Sequence, residues 1–194
     1  LLARVPGSVI TAVEIDPALC ALAKANAARN GFADRFTAIE ADVTAPQNVV
    51  LAKGLVAEGY DHVMANPPYY DEGTVRPSPA SASAHVMAAD RLEAWLRFFA
   101  GMTAPKGLVT LIYLPERLPQ LLPLLDGRFG AIKIFPLYPK EGAPATRFIL
   151  QARKGSRAPL QLLPGLALHG ASGGAYTALA EAVLRRGAAL DLGR

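Results

Sequence analysis

The chain has 194 residues, 52% of them hydrophobic and 19% charged, with 20 Lys and Arg against 16 Asp and Glu. That length fits one domain, or one domain with a small appendage, and the apolar content excludes a wholly disordered chain. The single cysteine, Cys20, excludes a disulfide framework and a Cys-rich zinc site. No apolar run reaches membrane-spanning length, so no membrane partner is expected. The first residues, Leu1 to Gly7, lack the regions of a signal peptide, and a reducing, cytoplasmic setting is expected. The net charge of +4 and a pI of about 9.4 are compatible with a polyanionic partner such as RNA.

In chain order, the pattern is apolar strand, then helix, repeated. Ser8 to Ile15 reads as a strand with almost no polar interruption, as expected where both faces of a parallel sheet are covered. Asp16-Pro17 opens a helix: Asp16 can cap it, and Pro17 suits the first turn because its missing N–H would have no partner there. That helix stops at Asn30-Gly31. Phe36 to Ala41 is a second strand, and Pro46 to Glu58 a helix weakened by Gly54. Tyr60 to Ala65 is a third strand. Asp90 to Met102 is a helix with Leu92, Trp95, Leu96 and Phe99 on one face. Leu108 to Leu114 is a fourth strand, and Glu116 to Leu125 a helix interrupted by Pro119 and Pro123. Ala131 to Leu137 and Arg147 to Ala152 read as an antiparallel hairpin around the turn-rich stretch Pro139 to Pro144. Tyr176 to Arg186 is a terminal helix. Tyr69 to Ala89 and Gly155 to Ser172 are long loops, of the kind that often carry function. The fold class is therefore α/β, a mostly parallel sheet with helices on both faces and an antiparallel hairpin at one edge.

In open α/β sheets, ligands bind beyond the carboxyl ends of the strands. The first strand ends Glu14-Ile15-Asp16. Glu14 can accept hydrogen bonds from both hydroxyls of a ribose, or be a plain strand-end carboxylate; Asp16 reads as the helix cap. The second strand ends at Asp42-Val43, where a carboxylate could accept an adenine amine while Val43 packs on the ring, or could simply cap the next turn. The third strand ends Asn66-Pro67-Pro68-Tyr69. Successive prolines hold this backbone extended and remove two N–H donors. Their carbonyls, with the Asn66 amide oxygen, make a fixed set of acceptors suited to a substrate –NH2, and Tyr69 offers a flat face to a planar group.

Asn66-Pro67-Pro68-Tyr69 resembles the NPPY motif of S-adenosylmethionine-dependent amino-methyltransferases with the class I Rossmann-like fold. The likeness covers Ser8 to about Lys154. It implies that Glu14 holds the cofactor ribose with Ile15 also at the cofactor, that Asp42 and Val43 hold its adenine, and that Asn66 lies at both cofactor and substrate. It makes Asn66, Pro67, Pro68 and Tyr69 the catalytic element. Tyr70, Pro77-Ser78-Pro79, Ala82 to His85, Leu92 to Leu96, Gln151 to Gly155, His169 and Tyr176-Thr177 are more narrowly similar to bacterial tRNA1(Val) adenine-37 N6-methyltransferases. The implied reaction moves a methyl group from S-adenosylmethionine to adenine N6 in tRNA, without a metal, leaving S-adenosylhomocysteine. N5-methylation of a protein glutamine stays open as an alternative. So does a non-catalytic RNA-binding remnant. The family also carries a Gly-rich loop between its first strand and first helix. Nothing of that kind precedes Ser8, and Leu1 to Arg4 reads as the end of a helix. The expectation is a single methyltransferase domain over 1–194, N-terminally incomplete, with a C-terminal extension over 155–194 that carries a helix.

Tyr69, Tyr70, Arg76, His85 and Arg147 are candidate RNA contacts, and Arg153, Lys154 and Arg157 could also meet phosphates. For any one of these cations a solvated surface role is the commoner outcome. His62, His85 and His169 lack metal-ligand spacing. Trp95 reads as core, and Cys20 as a small buried hydrophobe.

Overall fold

A computed structural model describes residues 1–67 and 89–193. The chain forms two compact units, Leu1–Ala57 and Glu58–Arg194.

In the first unit, β1 (Ile10–Glu14) and β2 (Phe36–Glu40) pair in parallel, with Glu14 opposite Glu40. Between them runs α1 (Pro17–Arg29). It starts where Asp16 Oδ1 accepts from the N–H groups of Ala18 and Leu19 at 2.7 and 3.4 Å. It ends at Asn30, followed by Gly31 in the left-handed region at φ 72°. Cys20 is buried, as its apolar surroundings in the sequence suggested. A shorter helix, α2 (Gln47–Leu51), stops well before the expected Glu58. Gly54, at φ 101°, takes a conformation no helix can continue through.

The second unit is built on six strands in the order β3-β4-β6-β5-β7, with β8 also on β5. These are β3 (Tyr60–Ala65), β4 (Thr103–Tyr113), β5 (Phe129–Lys140), β6 (Arg147–Lys154), β7 (Gln161–Leu162) and β8 (Leu166–His169). β3 and β4 are parallel, β6 runs antiparallel to β4 and β5, and β7 and β8 run parallel to β5. The hairpin read from the sequence is thus β5–β6. The stretch read as a long loop after Gly155 adds two short strands beyond it.

One face of this sheet is covered by α3 (Ala89–Met102) and α4 (Leu118–Leu125). Leu92, Leu96 and Phe99 of α3 meet Leu121 and Leu125 of α4 and the alternate residues Val109, Leu111, Phe148, Leu150 and Ala152 of β4 and β6. Trp95 joins this core edge-to-face with Phe99, ring centroids 5.7 Å apart. Pro119 is accommodated in the first turn of α4, while Pro123 lies within it. A smaller cluster joins Phe135 and Leu166 to Ala180 of α5 (Ala178–Arg186). This helix begins two residues after the expected Tyr176. Tyr176 instead bridges to His169, and Thr177 caps the helix by accepting from the Ala180 N–H at 3.3 Å.

Two strands run longer than expected, each through a bulge with positive φ. Between Tyr60–Thr103 and His62–Leu108 the β4 chain loops out at Lys106, φ 66°. Between Gly130–Arg153 and Lys133–Gln151 the β5 chain loops out at Ala131, φ 48°.

Candidate functional site

In the first unit, the ends of the two parallel strands bring Glu14 and Asp42 close. Glu14 closes β1 opposite Glu40, and Asp42 follows two residues on, from strands about 4.8 Å apart. Glu14 Oε1 accepts from the Asp16 N–H at 3.0 Å, which holds the carboxylate at the turn into α1. Asp42 Oδ1 accepts from both the N–H and the hydroxyl of Thr44, at 2.8 and 2.7 Å. Asp42 therefore does make the local turn that its sequence context allowed, and in doing so is fixed at the strand end. Ile15 is 64% exposed, and Val43 is half-buried. Two carboxylates at neighbouring strand ends, flanked by apolar side chains, fit the hydroxyls and amine of a nucleoside. Asp16 is a helix cap, with both its contacts local.

In the second unit, Asn66 leaves β3 directly after the last paired residue, Ala65, which lies opposite Leu111. Its side chain is exposed and has no hydrogen-bond partner among the described residues, while Pro67 is fully buried. The buried ring anchors the backbone and leaves the amide at the surface. Pro68, Tyr69, Tyr70, Arg76 and His85 lie outside the described residues.

Two of the cations considered for RNA contact are committed elsewhere. Lys154 Nζ donates to the carbonyls of Ala100 and Thr103 at 2.6 and 2.8 Å and to Glu58 Oε1 at 2.7 Å. It closes the C-terminal end of α3, where a positive charge also suits the helix dipole. Arg153 Nη1 donates to the Lys106 carbonyl across the bulge at 2.8 Å. Arg147 opens β6 at the same end of the hairpin as Lys140, and its Nη1 donates to the Thr146 carbonyl at 2.7 Å.

His62 forms a short polar chain missed in the sequence. Its Nε2 lies 2.7 Å from Thr110 Oγ1, which also accepts from Gln151 Nε2 at 3.2 Å. Partial covering of the ring lowers the His62 pKa below 6.5. The unfolded chain therefore holds that proton more tightly. Stability contributed by neutral His62 is full above pH 6.5 and falls as pH drops through the lowered folded value. In urea unfolding, His62→Gln is expected to flatten the loss of stability between pH 7.5 and 5.5 (about one unit either side of the ordinary His value). An unchanged slope would assign that loss to other groups.

The chain matches no family model. It superposes on a solved structure, a predicted O-methyltransferase from Agrobacterium tumefaciens, with a TM-score of 0.77 and 26% identity, covering 93% of this chain and 79% of that one. A SAM-dependent O-methyltransferase from Thermotoga maritima shares the fold at a TM-score of 0.53 and 16% identity, over 80% of this chain and 54% of that one. The chain has the Rossmann-like fold of these methyltransferases. Its curated relatives are tRNA1(Val) (adenine(37)-N6)-methyltransferases. The Shewanella loihica protein is 32% identical over 118 residues, 61% of this chain and 48% of that protein. The Shewanella amazonensis protein is 35% identical over 75 residues, 39% of this chain and 30% of that protein. The chain spans no more than about half the length of these curated relatives. Among the described residues, no helix is long and apolar enough to cross a membrane.

Proposed function

We propose that this chain carries the methyl-transfer site of an enzyme acting on the N6 amino group of an adenine in tRNA. The observation that carries the reading is Asn66-Pro67 at the carboxyl end of β3, opening an Asn-Pro-Pro-Tyr sequence in a chain related to tRNA adenine-N6 methyltransferases. The amine of adenine is delocalised into its ring and is a poor nucleophile. The Asn66 amide oxygen and the Pro67 carbonyl accept the two N6 protons, which shifts the nitrogen toward tetrahedral geometry and aims its lone pair. Pro67 and Pro68 keep those acceptors rigid, so the gain comes from orientation. S-adenosylmethionine, when bound, supplies an electrophilic methyl group on its sulfonium. Glu14 holds its ribose hydroxyls and Asp42 its adenine amine, with Ile15 and Val43 against the apolar surfaces. Tyr69 and Tyr70 stack on the extruded base, and Arg76, His85 and Arg147 meet the RNA around it. A target in a loop is cheaper to unstack than one in a duplex.

The test is transfer of a radiolabelled methyl group from S-adenosylmethionine to tRNA and, in parallel, to protein acceptors. Digestion of the RNA is expected to release labelled N6-methyladenosine. Label on protein glutamine would replace the RNA reading with the amide one. Salt-sensitive RNA binding without transfer would instead support a non-catalytic RNA-binding role.

A further inference from the structure

The β5–β6 hairpin reaches past the edge of the sheet on which Asn66 lies. β3, β4 and β5 all run the same way, so their carboxyl ends share that edge. Ala65 is level with Leu111, Leu150 and Ile134 across the sheet. Tyr138 comes four residues after Ile134 on β5, an overhang of about 13 Å, and three strand spacings, about 14 Å, separate β5 from β3.

At this overhang lies a shallow cavity of about 400 Å³, widely open to solvent. Its walls include Tyr138, Pro164 and Gly165, with Glu141 and Gly142 of the hairpin turn. The volume is in the range of small-molecule sites. Gly165 is necessary here. Its φ is 84°, and a Cβ on it would stand 2.4 Å from the Pro136 carbonyl oxygen and 2.9 Å from Tyr138 Cε2. The bare backbone at Gly165 thus lets the Tyr138 ring pack close and restrains it, so little side-chain entropy is lost when a planar group stacks on it. The Glu141 backbone is pinned by donation to the His169 carbonyl at 3.0 Å, while its exposed carboxylate has no ion pair among the described residues. Lys140 is exposed beside it.

We propose that this cavity receives an unpaired nucleobase of the RNA, a few nucleotides along the strand from the target adenine. The base stacks on Tyr138 and turns an N–H edge to Glu141, and Lys140 meets the adjoining phosphate. The roughly 20 Å from Asn66 (the diagonal of overhang and strand spacing) is a span that a splayed single strand bridges in a few nucleotides. This site rests on the tRNA reading above and extends it to substrate selection.

Fluorescence anisotropy of the chain with a labelled RNA stem-loop tests it. Tyr138→Ala is expected to weaken binding roughly 5- to 150-fold, the range for loss of one base–aromatic stack, while Tyr138→Phe, which keeps the ring, binds as the parent does. The sign of Glu141→Gln is more discriminating. General electrostatics makes RNA binding tighter when a surface carboxylate is removed, whereas a carboxylate that accepts from a base makes it weaker, as expected here. An abasic nucleotide walked through the loop should, at one position, cost clearly less in Tyr138→Ala than in the parent. Parent-like affinity in Tyr138→Ala, tighter binding in Glu141→Gln, or additivity at every loop position would each overturn the site while leaving the tRNA reading in place. Absence of RNA binding by the parent chain would remove both.

Discussion

Asn66→Ala is expected to lower methyl transfer about 10²- to 10³-fold, the range for loss of one aligned hydrogen-bonding group at a reacting centre. The loss falls on kcat, and S-adenosylhomocysteine affinity changes little. Asn66 is exposed at the end of β3, with Ala65 paired behind it and Pro67 buried ahead of it. Substitution removes the amide oxygen without disturbing either anchor, so the protein should fold as before. Single-turnover transfer with saturating cofactor separates the chemical step from binding. Retention of most of the rate would show that Asn66 does not accept from the target amine. Asn66→Asp, which keeps an acceptor but adds charge, should fall between the two.

Lys154→Met is expected to destabilise the second unit by about 3 kcal/mol, because a cationic donor to several acceptors is worth more than a neutral one and its loss strands those acceptors. The Lys154 side chain is only 18% exposed, and its ammonium reaches the end of α3 at Ala100, the start of β4 at Thr103, and Glu58. The methionine keeps the apolar stem and fills the same channel, so the loss reads the hydrogen bonds and not a cavity. Urea unfolding measures it, and hydrogen exchange should rise first at the α3–β4 junction. The exposed Glu58 partner contributes little by itself. An unchanged midpoint would mean that water satisfies the two carbonyls equally well.

Neighbouring residues along the chain were enough to define much of this molecule. Asp16-Pro17 carries its own instruction to begin a helix, because the cap and the missing donor act within one turn. Tyr60 to Ala65 has the expected strand limits, since Asn66-Pro67 allows no continuation of the ladder. The apolar spacing of Leu92, Trp95, Leu96 and Phe99 located the core face of α3. The succession of such elements implied the parallel sheet, and Asn66-Pro67-Pro68-Tyr69 stood out as a candidate site because rigid acceptors at a strand end need nothing beyond adjacent residues.

What the sequence left open depends on partners far apart in the chain. Lys154 reads as one more basic residue until the fold brings Glu58, Ala100 and Thr103 to its ammonium. The bulges at Lys106 and Ala131 follow from register against β3 and β6, and local preference argues against positive φ at either residue. β7 and β8 are too short to show a period of two, and exist because β5 offers them an edge. The cavity by Tyr138 arises in the same way, because pairing of β8 with β5 brings the preceding Gly165 close to a ring on β5. Local sequence determined the elements and the candidate motif, because capping, proline geometry and side-chain periodicity act within a few residues. Tertiary structure alone decided which cations are tied into the fold and where the cavity beside Tyr138 forms, because hydrogen-bond satisfaction and close backbone approach are properties of segments that meet only in the folded protein.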